Sequence, residues 1–303
     1  MIQILSSITP LFILLFVGVL ARLLKIADLE WVKVLNKFAL YLGFIPLMIY
    51  SIGHADKASI TNTKLILVNF GVILIIIFAT LIVTKLLRMG SETANAYILG
   101  IFFGNTAYLG LPFIAALYPG SEGLISVHIA IYSVLLLSIG TALVKCEKLT
   151  GASCVGISKK LITDPLLISI FVGFFLLYFD IDLPKVIDEA LRLLSSSLTP
   201  IVLVALGIFV GQKMEFNKDF LHAGIITFCK LIISPVLFLI AWKVFDFGSD
   251  FKISILESAM PVGIMIFALA DVHGLKKQIV ANAVILSTLA SCVTLTILAA
   301  LVQ

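Results

Sequence analysis

Hydrophobic residues along this chain follow neither the helical nor the strand period; they run in long blocks separated by short polar stretches. The blocks fall at about 4–24, 34–53, 65–87, 95–118, 124–144, 165–181, 195–212, 220–245, 253–271 and 279–302. A helix needs about 20 apolar residues to cross the hydrocarbon core of a bilayer, so the pattern predicts an all-α polytopic membrane protein of ten transmembrane helices. The first block lacks a basic leading segment and outruns a signal-peptide core, so it is read as a retained helix. An even number of crossings puts both termini on one side.

Charge then selects the side. With the N-terminus outward, the inward loops hold fourteen Lys and Arg, the outward loops hold six, and Lys230 lies inside a span. Cytoplasmic loops carry the positive excess, so both termini are expected on the non-cytoplasmic side of the cell membrane.

Composition narrows the class. Of 303 residues, 61% are hydrophobic and 13% charged, which is too little polar surface to coat a water-soluble particle. That excludes a soluble enzyme and a nucleic-acid-binding domain. The net charge of +4 comes from scattered loop residues, as membrane topology alone requires. Cys146, Cys154, Cys229 and Cys292 show no CxxC or His-paired metal spacing and are read as reduced thiols. No cofactor is expected, and coupling to a proton or to sodium stays open.

The chain contains an internal repeat. Pro10 to Gly18 and Pro165 to Gly173 share six of nine residues, and Pro46 with Gly53 matches Pro200 with Gly207 at nearly the same offset. The repeat divides the chain into 1–145, a cytoplasmic connecting loop at 146–163, and 164–303. Five spans in each half force the halves into opposite orientations, the inverted repeat of many secondary transporters, whose two halves can exchange conformations. Pro10, Pro46, Pro165, Pro200 and Pro235 are read as kinks or span starts. Asp164 and Asp271 are read as interfacial caps, and His128, Asn69 and Asn282 as packing groups.

Two spans carry a proline in mid-block with glycine nearby: Gly104-Asn-Thr-Ala-Tyr-Leu-Gly-Leu-Pro112 in the fourth and Glu257-Ser-Ala-Met-Pro-Val-Gly263 in the ninth. Proline removes an amide donor and clashes with the carbonyl four residues back, so breaks are expected at Pro112 and Pro261, with the Tyr108 and Glu257 carbonyls losing their helical partners. Broken helices near the midplane are where inverted-repeat carriers hold substrate; the plainer alternative is a pair of packing kinks. Asn105, two turns before Pro112, can donate to a carboxylate without fixing a charge in lipid. Glu257 is a candidate proton or cation carrier, and Lys230 a candidate partner for Glu257 or for a substrate carboxylate.

Taken together, Gly104-Asn105-Thr106 leading to Gly110-Leu111-Pro112, Asp164-Pro165, Thr199-Pro200 leading to Leu206-Gly207, and Ala259-Met260-Pro261-Val262-Gly263 resemble the auxin efflux carrier family, in its prokaryotic branch, along essentially the whole chain. The resemblance implies two five-helix inverted repeats, a scaffold and a transport domain, and the fourth and ninth helices crossing at their prolines. It further implies a substrate site at that crossing, where Asn105 meets the carboxylate of a small organic anion, together with homodimerisation and an elevator-like movement. The candidate substrate-binding residues are thus Asn105, Thr106, Tyr108, Gly110, Pro112, Ser258, Ala259, Pro261 and Gly263. Plant auxin carriers have Asn where this chain has Leu166, which shifts the expected substrate from auxin towards malate-like or malonate-like carboxylates. The expectation is a secondary or uniport carrier, working outward.

Three other classes compete. A sodium-coupled organic anion symporter of the bile-acid type shares the architecture, and Asn105, Thr106, Glu257 and Ser258 would suit its ion. An intramembrane enzyme lacks its signatures, since there is no HExxH, GxSG or Gly-Asp pair. A channel would not saturate or exchange substrate across the membrane.

Overall fold

The computed structural model describes residues 2–148, 162–214, 216–270 and 274–302. Among them the regular structure is helical apart from one short backbone pairing, and every one of the ten apolar blocks contains helix. The elements are α1 (Ile2–Leu23), α2 (Leu29–Phe38), α3 (Phe44–Gly53), α4 (Lys57–Ile60), α5 (Thr63–Leu86), α6 (Ser91–Phe102), α7 (Leu111–Leu117), α8 (Glu122–Lys148), α9 (Pro165–Tyr178), α10 (Lys185–Val210), α11 (Lys218–Phe228), α12 (Ser234–Phe245), α13 (Phe251–Ser258), α14 (Ile264–Ala268) and α15 (Lys277–Val302). Three π-helical turns lie between them: π1 (Ala39–Gly43), π2 (Thr106–Gly110) and π3 (Cys229–Ile233).

Among the described residues, seven helices are long and apolar enough to cross a bilayer. The remaining three blocks differ for local reasons. The fourth and ninth are interrupted, and α9 has 14 residues, or about 21 Å of helix. Residues 149–161 of the expected connecting loop, with Cys154, and Asp271 lie outside the described residues, as does the side chain of Cys146.

Short polar side chains start the helices by accepting their first amides. Asp28 accepts from Glu30 and Trp31, Asn62 from Leu65, and Asn217 from Asp219. Asp164 caps α9 by accepting from Leu167 N–H at 3.0 Å, and Pro165 takes the first position, where its missing amide costs nothing. That is the cap expected from the sequence.

The prolines explain the π turns. Pro46, Pro112 and Pro235 each follow a π turn by two or three residues. A proline leaves the carbonyl four residues back without its donor, and those carbonyls belong to Leu42, Tyr108 and Leu231, one within each π turn. Widening the turn to i→i+5 bonds absorbs the mismatch; Phe44 N–H reaches Ala39 O and Ser234 N–H reaches Cys229 O in this way. Pro10 and Pro200 sit inside α1 and α10.

The chain forms two compact units, each drawing on both halves of the sequence. The first takes in the described residues within 1–61, 107–130 and 159–212. In it α1 packs on α10, and α9 packs on α3. The repeated glycines sit at those contacts. Gly18 of α1 lies backbone to backbone against Val204 and Gly207 of α10, and Gly173 of α9 lies against Met48 and Ile52 of α3. The second unit takes in the described residues within 62–106, 131–158 and 213–303; there α11 packs on α15, α5 on α6, and α12 on α5 and α13.

Candidate functional site

The two interrupted spans meet inside the second unit. Helix α6 ends at Phe102, and Phe103 turns extended (φ −86°, ψ 104°). Helix α13 ends at Ser258, and Gly263 is extended (φ −68°, ψ 127°) before α14 begins. Between them runs a short antiparallel pairing centred on Gly104 and Val262. Asn105 N–H donates to Pro261 O at 2.7 Å, and Gly263 N–H donates to Phe103 O at 3.1 Å. Backbone removed from helix at membrane depth must find partners within the protein, and here each break supplies them to the other. Val262 N–H donates to Ser287 Oγ of α15 at 3.0 Å, which ties the crossing to a continuous helix.

Two expectations are corrected by this geometry. The fourth span breaks at 103–105 and not at Pro112, which lies near the start of α7 after a π turn, where a proline is tolerated. Asn105 is therefore in the break itself, not two turns from it. The Glu257 carbonyl is not orphaned either, because Met260 N–H donates to it at 3.2 Å in the last turn of α13.

Gly263 permits the crossing. A Cβ there would lie 2.6 Å from the Phe103 ring and 3.1 Å from Gly104 O.

Polar side chains gather round this crossing without completing one another's hydrogen bonds. Asn105 is 3% exposed, and its Nδ2 has no hydrogen-bond partner. Glu257 is 1% exposed, and neither carboxylate oxygen has one. Buried polar groups left in this state are costly, and a site waiting for a ligand or proton is a physical reason for them. Lys230 is fully buried; its Nζ lies 3.4 Å from Phe102 O and 5.8 Å from the centre of the Tyr132 ring. It interacts electrostatically with Glu257. An ammonium at the C-terminal end of α6 sits where the helix dipole favours positive charge. Lys230 reaches this place from π3, the turn that Pro235 induces.

Gly104 leaves room for the ammonium, since a Cβ there would lie 3.1 Å from both Cε and Nζ of Lys230. Gly104→Ala is therefore expected to fold, because the end of a lysine can move aside, but to weaken substrate affinity several-fold; unchanged affinity would show that the Lys230 position is not critical.

The surrounding frame is well bonded. Asn69 Nδ2 donates to Leu65 O and to Ser254 Oγ at 2.8 and 2.9 Å, bracing α13 one turn before Glu257. That is the packing role expected of Asn69. Asn282 Oδ1 accepts from Gln278 at 3.4 Å; His128 belongs to the first unit and is buried on α8. Ser258 Oγ donates to Ile255 O within its own helix. Thr106 and Ala259 are buried beside the breaks.

The other expected site residues belong to the first unit. The Tyr108 ring packs on Phe44 at 5.6 Å between centres. Gly110 ends π2, and Pro112 lines a cavity of about 500 Å³ with Leu111, Tyr50, His54, Glu122 and Arg192. Sequence reasoning missed Ser287, Tyr132 and Ser254, whose partners around the crossing lie in distant segments of the chain and leave no local signal.

The membrane transport protein family model matches residues 3–299. An uncharacterized transporter of Methanocaldococcus jannaschii is 26% identical, with 91% of each chain covered. A putative malonate transporter of Rhizobium meliloti is 22% identical over 98% of this chain and 95% of its own. Auxin efflux carrier component 8 of Arabidopsis thaliana is 24% identical over 95% and 94%. With a match along nearly its whole length, this chain belongs to the membrane transport protein family, that of the auxin efflux carriers, and is a multi-span membrane transporter and not an enzyme.

Proposed function

We propose that this transporter is a secondary carrier for a small carboxylate, with its substrate site at the crossing of residues 103–105 and 261–263. The observation that carries the reading is the pair of buried polar groups there that make no hydrogen bond, the Asn105 amide nitrogen and the Glu257 carboxylate oxygens. Asn105 donates to the substrate carboxylate, Lys230 supplies the positive field that favours an anion, and Glu257 exchanges the coupling proton. The similarity to a putative malonate transporter supports a carboxylate as substrate.

The rest of the account follows the inverted-repeat reading. All ten apolar blocks cross the membrane, with both termini on the non-cytoplasmic side, and the protein works outward as a homodimer. Reciprocal packing of the repeated segments, α1 on α10 and α9 on α3, supports two related halves. The division into two compact units supports an elevator-like movement of the second unit, which holds the crossing, while the first serves as scaffold.

The coupling role is tested with Glu257→Gln in reconstituted vesicles. A carboxamide keeps the shape and cannot carry a proton, so pH-driven uptake is expected to fall to background while exchange of internal for external substrate persists. Transport that keeps its pH dependence would remove Glu257 from that role. A dependence on sodium would favour a bile-acid type symporter instead.

A further inference from the structure

Among the described residues, Lys230 is the only buried lysine and Glu257 the only buried carboxylate, and both belong to the second unit. A charge that cannot reach water must be met by an opposite charge or by well-placed dipoles. Both are present around Lys230. Helix α6 ends at Phe102, so the Phe102 carbonyl has lost the helical amide that would follow four residues on, and Lys230 Nζ donates to it at 3.4 Å. The aligned carbonyls of that helix end add negative potential, and the Tyr132 ring presents its face with its centre 5.8 Å from Nζ. The Gly104 backbone closes the wall, where a Cβ would lie 3.1 Å from Nζ.

Glu257 balances the charge. Its two oxygens accept no hydrogen bond, so the ammonium acts on the carboxylate through space. A carbonyl at a half-helix C-terminus, beside unwound backbone and close to a carboxylate, is the place where carriers with broken helices hold a coupling sodium ion. Here that place is filled by a cation carried on the chain's own π3.

We infer that Lys230 is a tethered cation, occupying a monovalent-cation site between the Phe102 carbonyl and Glu257 and so excluding sodium from the crossing. A second positive charge in this buried space would meet the ammonium at short range with little screening. The ammonium, unlike a free ion, cannot leave with the substrate. The consequence for coupling, that the proton on Glu257 is the exchangeable charge, rests on the carrier reading. The cation site itself does not, and it is read without substrate or transport.

The test is thermal unfolding of the purified full chain at pH 8, where protons compete little with a cation. Sodium or n-propylammonium chloride is compared with N-methylglucamine chloride at equal ionic strength. Lys230→Ala empties the place, and n-propylammonium is the piece of side chain that this removes. Both sodium and n-propylammonium are expected to raise the unfolding midpoint of Lys230→Ala by about 5 °C. Neither should move the wild type, nor the double variant Lys230→Ala with Glu257→Gln, which has no carboxylate to balance. A folded Lys230→Ala indifferent to sodium, or an equal gain in the wild type or the double variant, would overturn the site. Lys230→Ser is run beside it; failure of both single variants to fold in sodium, while Lys230→Met folds, would overturn it as well.

Discussion

Asn105→Ala is expected to abolish transport while the protein stays folded. The side-chain amide is buried, and its nitrogen makes no hydrogen bond within the protein, so truncation breaks none there. Its backbone N–H, which donates to Pro261 O and holds the crossing, is kept. A hydrogen bond to a charged group contributes about 1.5–3 kcal/mol, so affinity for the carboxylate should fall by about tenfold to a hundredfold, which takes transport to background at substrate concentrations that half-saturate the wild type. Calorimetric titration with substrate alongside thermal unfolding separates the two effects. Unchanged affinity in a folded variant would move the site away from the crossing.

The second large effect is on the fold. Gly207→Ala is expected to destabilise the first unit by about 3 kcal/mol, the upper range for an overpacked contact. A Cβ on Gly207 would run into the Leu15 carbonyl oxygen and lie 2.9 Å from Gly18 Cα. Both obstacles are backbone, so neither can rotate aside. Small residues that let backbones approach are the usual basis of close helix packing in membranes. Gly71→Ala is the control, because a Cβ there meets nothing within 4 Å, and alanine is the better helix former by about 1 kcal/mol. Thermal unfolding in detergent should show Gly207→Ala well below the wild type and Gly71→Ala level with it or above. Equal stability of the two variants would mean that the α1–α10 contact is looser than the structure places it.

What the sequence made legible follows from how far each signal reaches. Apolar blocks are local, and each of the ten contains helix. Asp164 before Pro165 is a local cap, and it caps. Pro112 misled because proline reports a missing donor and not where the chain leaves the helix. The mismatch is absorbed by π2, and the chain departs at Phe103, where the partner backbone of 261–263 lies more than 150 residues away in sequence. No window along the fourth span contains that information.

The site was legible in the same partial way. Asn105 and Glu257 stood out as polar groups in apolar blocks, and both are buried beside the breaks. Lys230 also stood out, but its direction depends on π3, which turns on Pro235 five residues later. Tyr108 and Pro112 shared the fourth span with Asn105 and yet belong to the other compact unit, because the chain passes from one unit to the other at 106–107.

The central claim is that the crossing carries a small carboxylate. It is tested most directly by reconstituting the protein in liposomes on a solid-supported membrane and recording currents for malate, malonate and indole-3-acetate, with and without sodium and a pH gradient. The account predicts a saturable current for at least one carboxylate, present without sodium and absent in Asn105→Ala. A current that requires sodium, or one that persists in folded Asn105→Ala, would contradict it.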